Sequence, residues 1–411
     1  MVLLPDDVAT KAMSFLSLPD WQAASACKAY HACWRRRCRG MLRVVRQRVG
    51  RFEFADHLTA LPGSDGIIVP HYAEDRLETY SPNGVQVATC VQGRSRVVSD
   101  DESISGSLET PSAMALRGDG TAWVILKDDG ELVCVRLDAV ISENIVKIGF
   151  WDLPEDHADY GYLPVDVALA GDRLLVLCCA HPSRGRVQVL DNQTGARLYT
   201  FGSTGEDWRD ELREPNCLAV HDQYCFIADT HNQAVKVFDW RDGTLVRAFG
   251  KAQDHSSSVR ELMIPYYADE VVPYYSFRND YSDVRKGSGP GEFNTPFGVA
   301  VRDGKLYVSE LEGRRIQVFR LPADMRGFSD MEVLQIIPSP DGWPLSGLCV
   351  DDGGRLSCMG PGVTWSGGSG GSNCRYVFDD ENNGRHASYL HIFEPVFQLQ
   401  VPSPASEVRL H

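Results

Sequence analysis

The chain has 411 residues, of which 43% are hydrophobic and 24% are charged, as in ordinary globular proteins with a sizeable core. No apolar run approaches the ~20 residues of a membrane-spanning helix. The N-terminus carries Pro5 and acidic residues where a secretion signal has a basic start and an apolar stretch. These features predict a cytosolic or nuclear protein with no membrane partner. The 12 cysteines follow no regular framework, which favours reduced thiols in cores over disulfides.

Formal charge is distributed unevenly along the chain. Residues 1–56 carry ten Lys/Arg and five Asp/Glu, a net +5, whereas the whole chain carries −15, which leaves −20 for the remainder. An acidic body of this kind disfavours nucleic-acid phosphates as partners. The basic run from Arg35 to Arg51 is interpreted as the solvated face of a helix, with binding of an anionic partner as the alternative.

Two short amphipathic helices are predicted at the N-terminus. Val8, Ala12, Phe15 and Leu16 repeat at i, i+4, i+7 and i+8, the spacing of one apolar helix face. Pro19 ends this helix, and the residue after it can cap the next one. A two-helix unit of this size cannot fold alone, so it must pack on the rest of the chain or on a partner.

The stretch "LPDDVATKAMSFLSLPDWQAASACKAY" resembles the F-box in its Leu-Pro start, its Phe-Leu-Ser and Asp-Trp pairs and its Cys-Lys. Ala12 and Ala26 depart from that pattern, because the family carries larger branched residues there. The resemblance implies a module over residues 1–50 that docks a Skp-type adaptor of a cullin ubiquitin ligase by burying its apolar helix face. The residues that would face the adaptor are Leu4, Pro5, Val8, Phe15, Leu16 and Trp21. The alternative is a helical cap on the rest of the chain.

A cysteine- and histidine-containing cluster lies within this same segment. Cys27, His31, Cys33 and Cys38 are residue types that bind zinc, but their spacing fits no common closed zinc site. Packing in helix cores explains them better, so we predict no metal and no cofactor for the chain.

A repeated unit fills residues 51–411. Copies begin near residues 57, 111, 164, 215, 296 and 344, and each holds about four short β-rich runs separated by Asp-Gly, Asn-Gly or Gly-Asp turns. The copies that begin at Pro215 and Pro296 align without a gap. Six units of four strands predict a mainly β chain folded as a six-bladed β-propeller, preceded by the small α-helical module.

The copies resemble the NHL repeat in their Pro-x-x-[LV]-A-V opening, in "YVSE" and "FIADTHN", in "RRIQVF" and "AVKVF", and in "GSGPGEFNTP". The resemblance covers about 340 residues and is closest in the fourth and fifth copies. WD40 repeats fit less well, since no Gly-His and Trp-Asp pair recurs. An NHL-like propeller is therefore expected.

Two insertions interrupt the repeat, and both are expected on one rim of the propeller. Residues 251–294 contain the aromatic and acidic run "IPYYADEVVPYYSFRNDY", and residues 360–373 are rich in Gly and Ser. Loops on a rigid scaffold commonly carry binding residues. The candidate contacts to a protein substrate are Tyr266, Tyr267, Tyr274, Tyr275 and Trp365.

The sequence has no P-loop and no His-Glu-x-x-His, and its one Gly-x-Ser-x-Gly string lies inside the Gly- and Ser-rich run 360–373, not at a strand-to-helix elbow. Asp229 and Glu310 occupy equivalent repeat positions and are interpreted as turn caps, with rim lining as the alternative. We therefore predict a non-enzymatic substrate-recognition subunit of a cullin-type ligase. The alternatives are an interaction scaffold with no ubiquitin link, a metal-dependent propeller lyase or hydrolase, and an RNA-binding propeller, which the acidic charge opposes. A central metal held by histidines, as in some propeller lyases, would require several histidines at equivalent blade positions, and the blade histidines are His57, His71, His181, His221 and His231.

Overall fold

The fold is taken from a computed structural model. It describes the residues 42–52, 55–63, 66–81, 83–92, 108–137, 144–149, 162–180, 184–202, 211–250, 286–326, 331–340, 342–361, 364–365, 376–377 and 388–395. The chain divides into two compact units. Unit 2, Val45–Ile392, holds the sheets, and unit 1, Met1–Val44 with Phe393–His411, is described only at the ends of two strands.

The described elements are strands and one 3₁₀ turn. In chain order they are β1 (Leu42–Phe52), β2 (Thr59–Ala60), β3 (Ile67–His71), η1 (Tyr72–Glu74), β4 (Arg76–Tyr80), β5 (Gln86–Gln92), β6 (Pro111–Leu116), β7 (Thr121–Leu126), β8 (Glu131–Arg136), β9 (Asn144–Gly149), β10 (Leu163–Ala170), β11 (Arg173–Ala180), β12 (Arg184–Asp191), β13 (Arg197–Phe201), β14 (Leu212–Arg213), β15 (Pro215–His221), β16 (Tyr224–Asp229), β17 (Ala234–Asp239), β18 (Thr244–Phe249), β19 (Pro296–Arg302), β20 (Lys305–Glu310), β21 (Arg315–Arg320), β22 (Glu332–Pro338), β23 (Leu348–Val350), β24 (Leu356–Pro361), β25 (Thr364–Trp365), β26 (Tyr376–Val377) and β27 (Ser388–Pro395).

Six sheets form the blades, which confirms the predicted six-bladed propeller. Blades 1 to 5 follow chain order as β2–β5, β6–β9, β10–β13, β15–β18 and β19–β22, and β14 adds to blade 3 through β12. Blade 6 has the order β1-β27-β24-β23, so an N-terminal strand completes it. The predicted starts at Pro111, Pro215 and Pro296 are the first residues of β6, β15 and β19.

The N-terminal boundary differs from the sequence interpretation. Strand β1 begins at Leu42, inside the range 1–50 assigned to the helical module, so the second half of the basic run is extended and not helical. Pairing with β27, more than three hundred residues later, gives this segment its strand conformation. The rest of that module, residues 1–41, lies outside the described residues.

The core consists of apolar layers between neighbouring blades. Strands such as β7 and β17 are buried along their whole length, because both faces of each sheet are covered. Trp123 of blade 2 packs with Leu190 of blade 3, and its Nε1 donates a hydrogen bond to Asn192 Oδ1 at 2.9 Å. Phe201 and Phe238 pack between blades 3 and 4, with ring centroids 5.3 Å apart. Each such large side chain contributes about 1.5–3 kcal/mol by burial.

The described cysteines support the prediction of reduced thiols. Seven are free, and only Cys179 among them is more than slightly exposed. Cys178 and Cys179 are adjacent in β11 and therefore face opposite sides of the sheet, as expected. Within the described ranges, no helix has the length and apolar character needed to cross a membrane.

Candidate functional site

The residues that the sequence assigns to partner binding fall almost entirely outside the described ranges. This holds for Leu4, Pro5, Val8, Phe15, Leu16 and Trp21, and for Tyr266, Tyr267, Tyr274 and Tyr275. Trp365 is described as part of the short strand β25, where its backbone pairs with that of Tyr376 in β26. The adaptor and substrate contacts therefore stay predictions.

The site that the structure does define is the axial channel of the propeller. Its volume is about 480 Å³, and its walls come from the first strands of all six blades and the segments next to them. Because each first strand faces the axis, one side chain per blade at a given level can point into the same space.

Asp166 and Cys217 occupy the same register position in blades 3 and 4. Each stands two residues after a proline, Pro164 or Pro215, and each follows a β-bulge that interrupts pairing with the second strand. A bulge re-aims the side chain that follows it. Both side chains line the channel.

His57 holds the corresponding position in blade 1. It stands two residues before Thr59, which pairs with Ile68, the fourth residue from the end of β3. In blade 4, the residue two positions after Cys217 pairs likewise with Phe226, the fourth from the end of β16. The three polar side chains therefore occupy equivalent positions in three blades. An alignment that starts the first repeat at His57 places His57 opposite Pro215, two residues away from its structural equivalent Cys217.

The three side chains converge at the axis. His57 Nδ1 lies 3.8 Å from Asp166 Oδ1, and one ligand-type atom from each of His57, Asp166 and Cys217 lies within 4.8 Å of the others. The His57 ring also approaches the Phe297 ring, with centroids 6.0 Å apart. Blades 1, 3 and 4 thus meet through polar atoms, with an aromatic side chain beside them.

Asp166 is nearly buried and is held by backbone amides. Its Oδ1 accepts a hydrogen bond from Val167 N at 2.8 Å, and its Oδ2 accepts one from Leu218 N of the next blade at 2.8 Å. These two bonds fix the carboxylate and leave further lone pairs on both oxygens. Among the described residues, the one basic side chain in contact with this carboxylate is His57, whose Nδ1 lies 3.8 Å from Oδ1.

The Cys217 thiol is buried beside this carboxylate. Its Sγ–H can donate to Val299 O of blade 5 at 3.7 Å. Burial, and then the negative charge of Asp166, raise the pKa of this thiol well above its ordinary value. The thiol is therefore held in its protonated form at neutral pH.

The backbones of blade 6 and of the segment before blade 1 lie in close contact beside His57. Gly347 N donates a hydrogen bond to Asp56 O at 2.8 Å. A Cβ atom on Gly347 would lie 2.2 Å from that same oxygen and 3.0 Å from His57 Cα. Only glycine allows this approach of two backbones.

Asp229 and Glu310, the equivalent acidic residues, are structural. Both side chains are fully buried, and Asp229 pairs with Lys236 at 2.8 Å while Glu310 pairs with Arg315 at 2.7 Å. Asp229 also accepts from Arg213 N at 2.7 Å. The turn-capping interpretation therefore fits the structure, and neither residue lines the axial channel.

His71 ends the second strand of blade 1, as Asp229 does in blade 4. Its Nε2 lies 3.0 Å from Glu78 Oε2, and its ring stacks with that of Tyr80. Burial lowers the pKa of His71 to about 4, against the raising effect of the Glu78 carboxylate. His71 is therefore a neutral histidine of the blade core.

Sequence reasoning considered His57 and missed Asp166 and Cys217. The signal was present, since Asp166 and Cys217 each stand two residues after an opening proline. The first copy lacks that proline, so its register follows only from strand pairing.

Together these features define a closed six-bladed β-propeller with a polar cluster on its axis. No protein-family model matches the sequence, and no curated protein matches it either. Among similar solved structures, the luciferin-regenerating enzyme is 11% identical with a TM-score of 0.52, over 87% of this chain and 95% of that chain. A gluconolactonase from Xanthomonas campestris is 13% identical with a TM-score of 0.48, over 86% of this chain and 90% of that one. The WD40 repeats of RRP9 are 11% identical with a TM-score of 0.49, over 86% of this chain and 97% of that chain. At 11% identity, the similarity to the luciferin-regenerating enzyme shows only that the two chains share the propeller fold.

Proposed function

We propose that this protein is a substrate-recognition subunit of a cullin-type ubiquitin ligase. The N-terminal segment would dock a Skp-type adaptor in the cytosol or nucleus, and the propeller would hold a protein substrate. The observation that carries the proposal is the in-register match of residues 4–30 to the F-box pattern, placed directly ahead of a closed propeller.

The propeller suits the second half of this role. Five of its blades are continuous in the chain. The sixth combines β1, which directly precedes blade 1, with strands from the C-terminal part of the chain, so the first and last blades are joined by the backbone. A rigid ring of this kind can present loops in fixed positions. In this role the chain performs no bond chemistry, and it accelerates ubiquitin transfer by raising the local concentration of the substrate lysine.

The first test is adaptor binding by the full-length chain. In a pull-down with a purified Skp-type adaptor, Leu16→Asp and Trp21→Asp should each weaken binding by at least about 30-fold, the loss of a hot-spot contact of about 2 kcal/mol. Gln22→Asp, a neighbouring residue outside the adaptor-facing set, is the matched control and should bind like the wild type. Undiminished binding by both Leu16→Asp and Trp21→Asp would contradict the proposal.

A second test separates a docking module from a helical cap, the scaffold alternative. Deletion of residues 1–41 should abolish adaptor binding and leave the urea midpoint almost unchanged if the segment docks a partner. A large fall in the midpoint, with no adaptor binding by the full chain, would favour the cap. The deletion must stop before Leu42, because β1 is an integral strand of blade 6.

A further inference from the structure

We propose that His57, Asp166 and Cys217 form a binding site for a divalent transition metal, Zn²⁺ by its ligand chemistry, on the axis of the propeller. The site does not depend on adaptor or substrate binding. It would link the first strands of blades 1, 3 and 4 through one ion.

The donor set is the first argument. An imidazole nitrogen, a carboxylate oxygen and a thiolate sulfur are the three ligand types that zinc takes in proteins, at bond lengths of roughly 2.0–2.3 Å. Tetrahedral geometry with such bonds separates ligand atoms by about 3.3–3.8 Å. The His57 to Asp166 distance is 3.8 Å, and all three atoms lie within 4.8 Å of one another. Shifts of about 1 Å or less would therefore bring them to ligating positions.

Charge is the second argument. Asp166 is 7% exposed, and within the part of the chain that the structure describes no Lys or Arg pairs with it. A dication beside this buried carboxylate would offset the cost of its burial. One carboxylate and one thiolate, with the thiol proton released to water, balance the charge of one dication.

Access is the third argument. His57, Asp166 and Cys217 line the same channel of about 480 Å³, so an ion can enter and water can take the fourth position. The other three equivalent positions are Ala113, Gly298 and Gly347, none of which carries a side-chain donor atom. The ring therefore offers one set of three ligands and no competing set.

The experiment uses the full-length protein, stripped with a chelator and then dialysed against Zn²⁺ or Co²⁺ alone. We expect one ion per chain by elemental analysis, and for Co²⁺ a thiolate-to-metal charge-transfer band in the near ultraviolet. Cys217→Ser should remove that band, and Cys217→Ser, Asp166→Asn and His57→Gln should each weaken binding by at least about 100-fold, since loss of outer-shell partners alone costs 10–100-fold. Cys179→Ser and His221→Gln, which alter a cysteine and a histidine outside the ring, are the matched controls.

Two results would overturn the proposal. One is a wild-type protein that takes up no stoichiometric ion after loading or shows no thiolate band with Co²⁺. The other is undiminished binding by the ligand variants, which would place the ion elsewhere. Circular dichroism checks folding of each variant, and if Cys217→Ser fails to fold, His57→Gln decides, because that side chain is at the edge of the buried region, 11% exposed.

Discussion

Lys236 gives the sharpest stability test of the blade architecture. It lies in β17, and its Nζ is 2.8 Å from Asp229 Oδ2 and donates to Glu211 O at 2.5 Å. The two charged side chains are 3% and 0% exposed. Lys236→Met keeps the apolar stem and removes the ammonium group, which leaves the Asp229 carboxylate buried without its cation.

The expected cost follows from what remains around Asp229. Breaking a buried ion pair by removing one partner costs about 3–5 kcal/mol. Arg213 N and Asn232 Nδ2 still donate to the carboxylate, each at 2.7 Å, so the loss falls at the lower end, about 3 kcal/mol. Arg320→Met is the matched control, because Arg320 and Glu332 form an ion pair with both side chains more than 60% exposed. Such a pair contributes less than about 1 kcal/mol.

The assay is urea unfolding followed by circular dichroism, with the free-energy change taken from the midpoint shift at constant slope. Asp229→Asn combined with Lys236→Met should cost less than the two single changes added together, because the double variant buries no lone charge. If the free energy of unfolding of Lys236→Met were within about 1 kcal/mol of the wild-type value, as expected for Arg320→Met, the buried Lys236–Asp229 pair would not stabilise the blade as argued.

Two further predictions concern the blade junction and the buried histidine. Gly347→Ala should destabilise by at least about 1–3 kcal/mol, since its Cβ meets Asp56 O, whereas Gly118→Ala, with open space around it, should be nearly neutral in the same urea assay. Because the folded-state pKa of His71, about 4, lies below the ordinary 6.5, the unfolded chain binds the extra proton, and stability should fall as pH drops from about 6.5 to 4. His71→Gln should reduce that fall in urea midpoints measured across this range, and His221→Gln, at an exposed site, should leave it unchanged; an equal pH dependence in both variants would contradict the assignment.

The repeat made the propeller predictable. Each copy carries its own apolar strands and turn residues, and prolines such as Pro111, Pro215 and Pro296 mark the first strands. These signals are local, since strand alternation and turn chemistry act over a few residues. The number of blades follows from counting them.

The last strand of blade 6 was not predictable in the same way. The segment Leu42–Phe52 is rich in arginine, and its charge pattern favours a solvated helix face. Its conformation is decided by pairing with Ser388–Pro395 at the other end of the chain. Tertiary context of this kind overrides weak local propensity.

The sequence by itself determined the repeated strands of the propeller, whereas the F-box-like segment ahead of them stays a prediction. Only the tertiary structure decided that His57, Asp166 and Cys217 meet, since they are separated by more than fifty residues at each step. Closure of the ring brings one register position of every first strand to a common axis. Three unrelated residues in the sequence thereby become a single cluster.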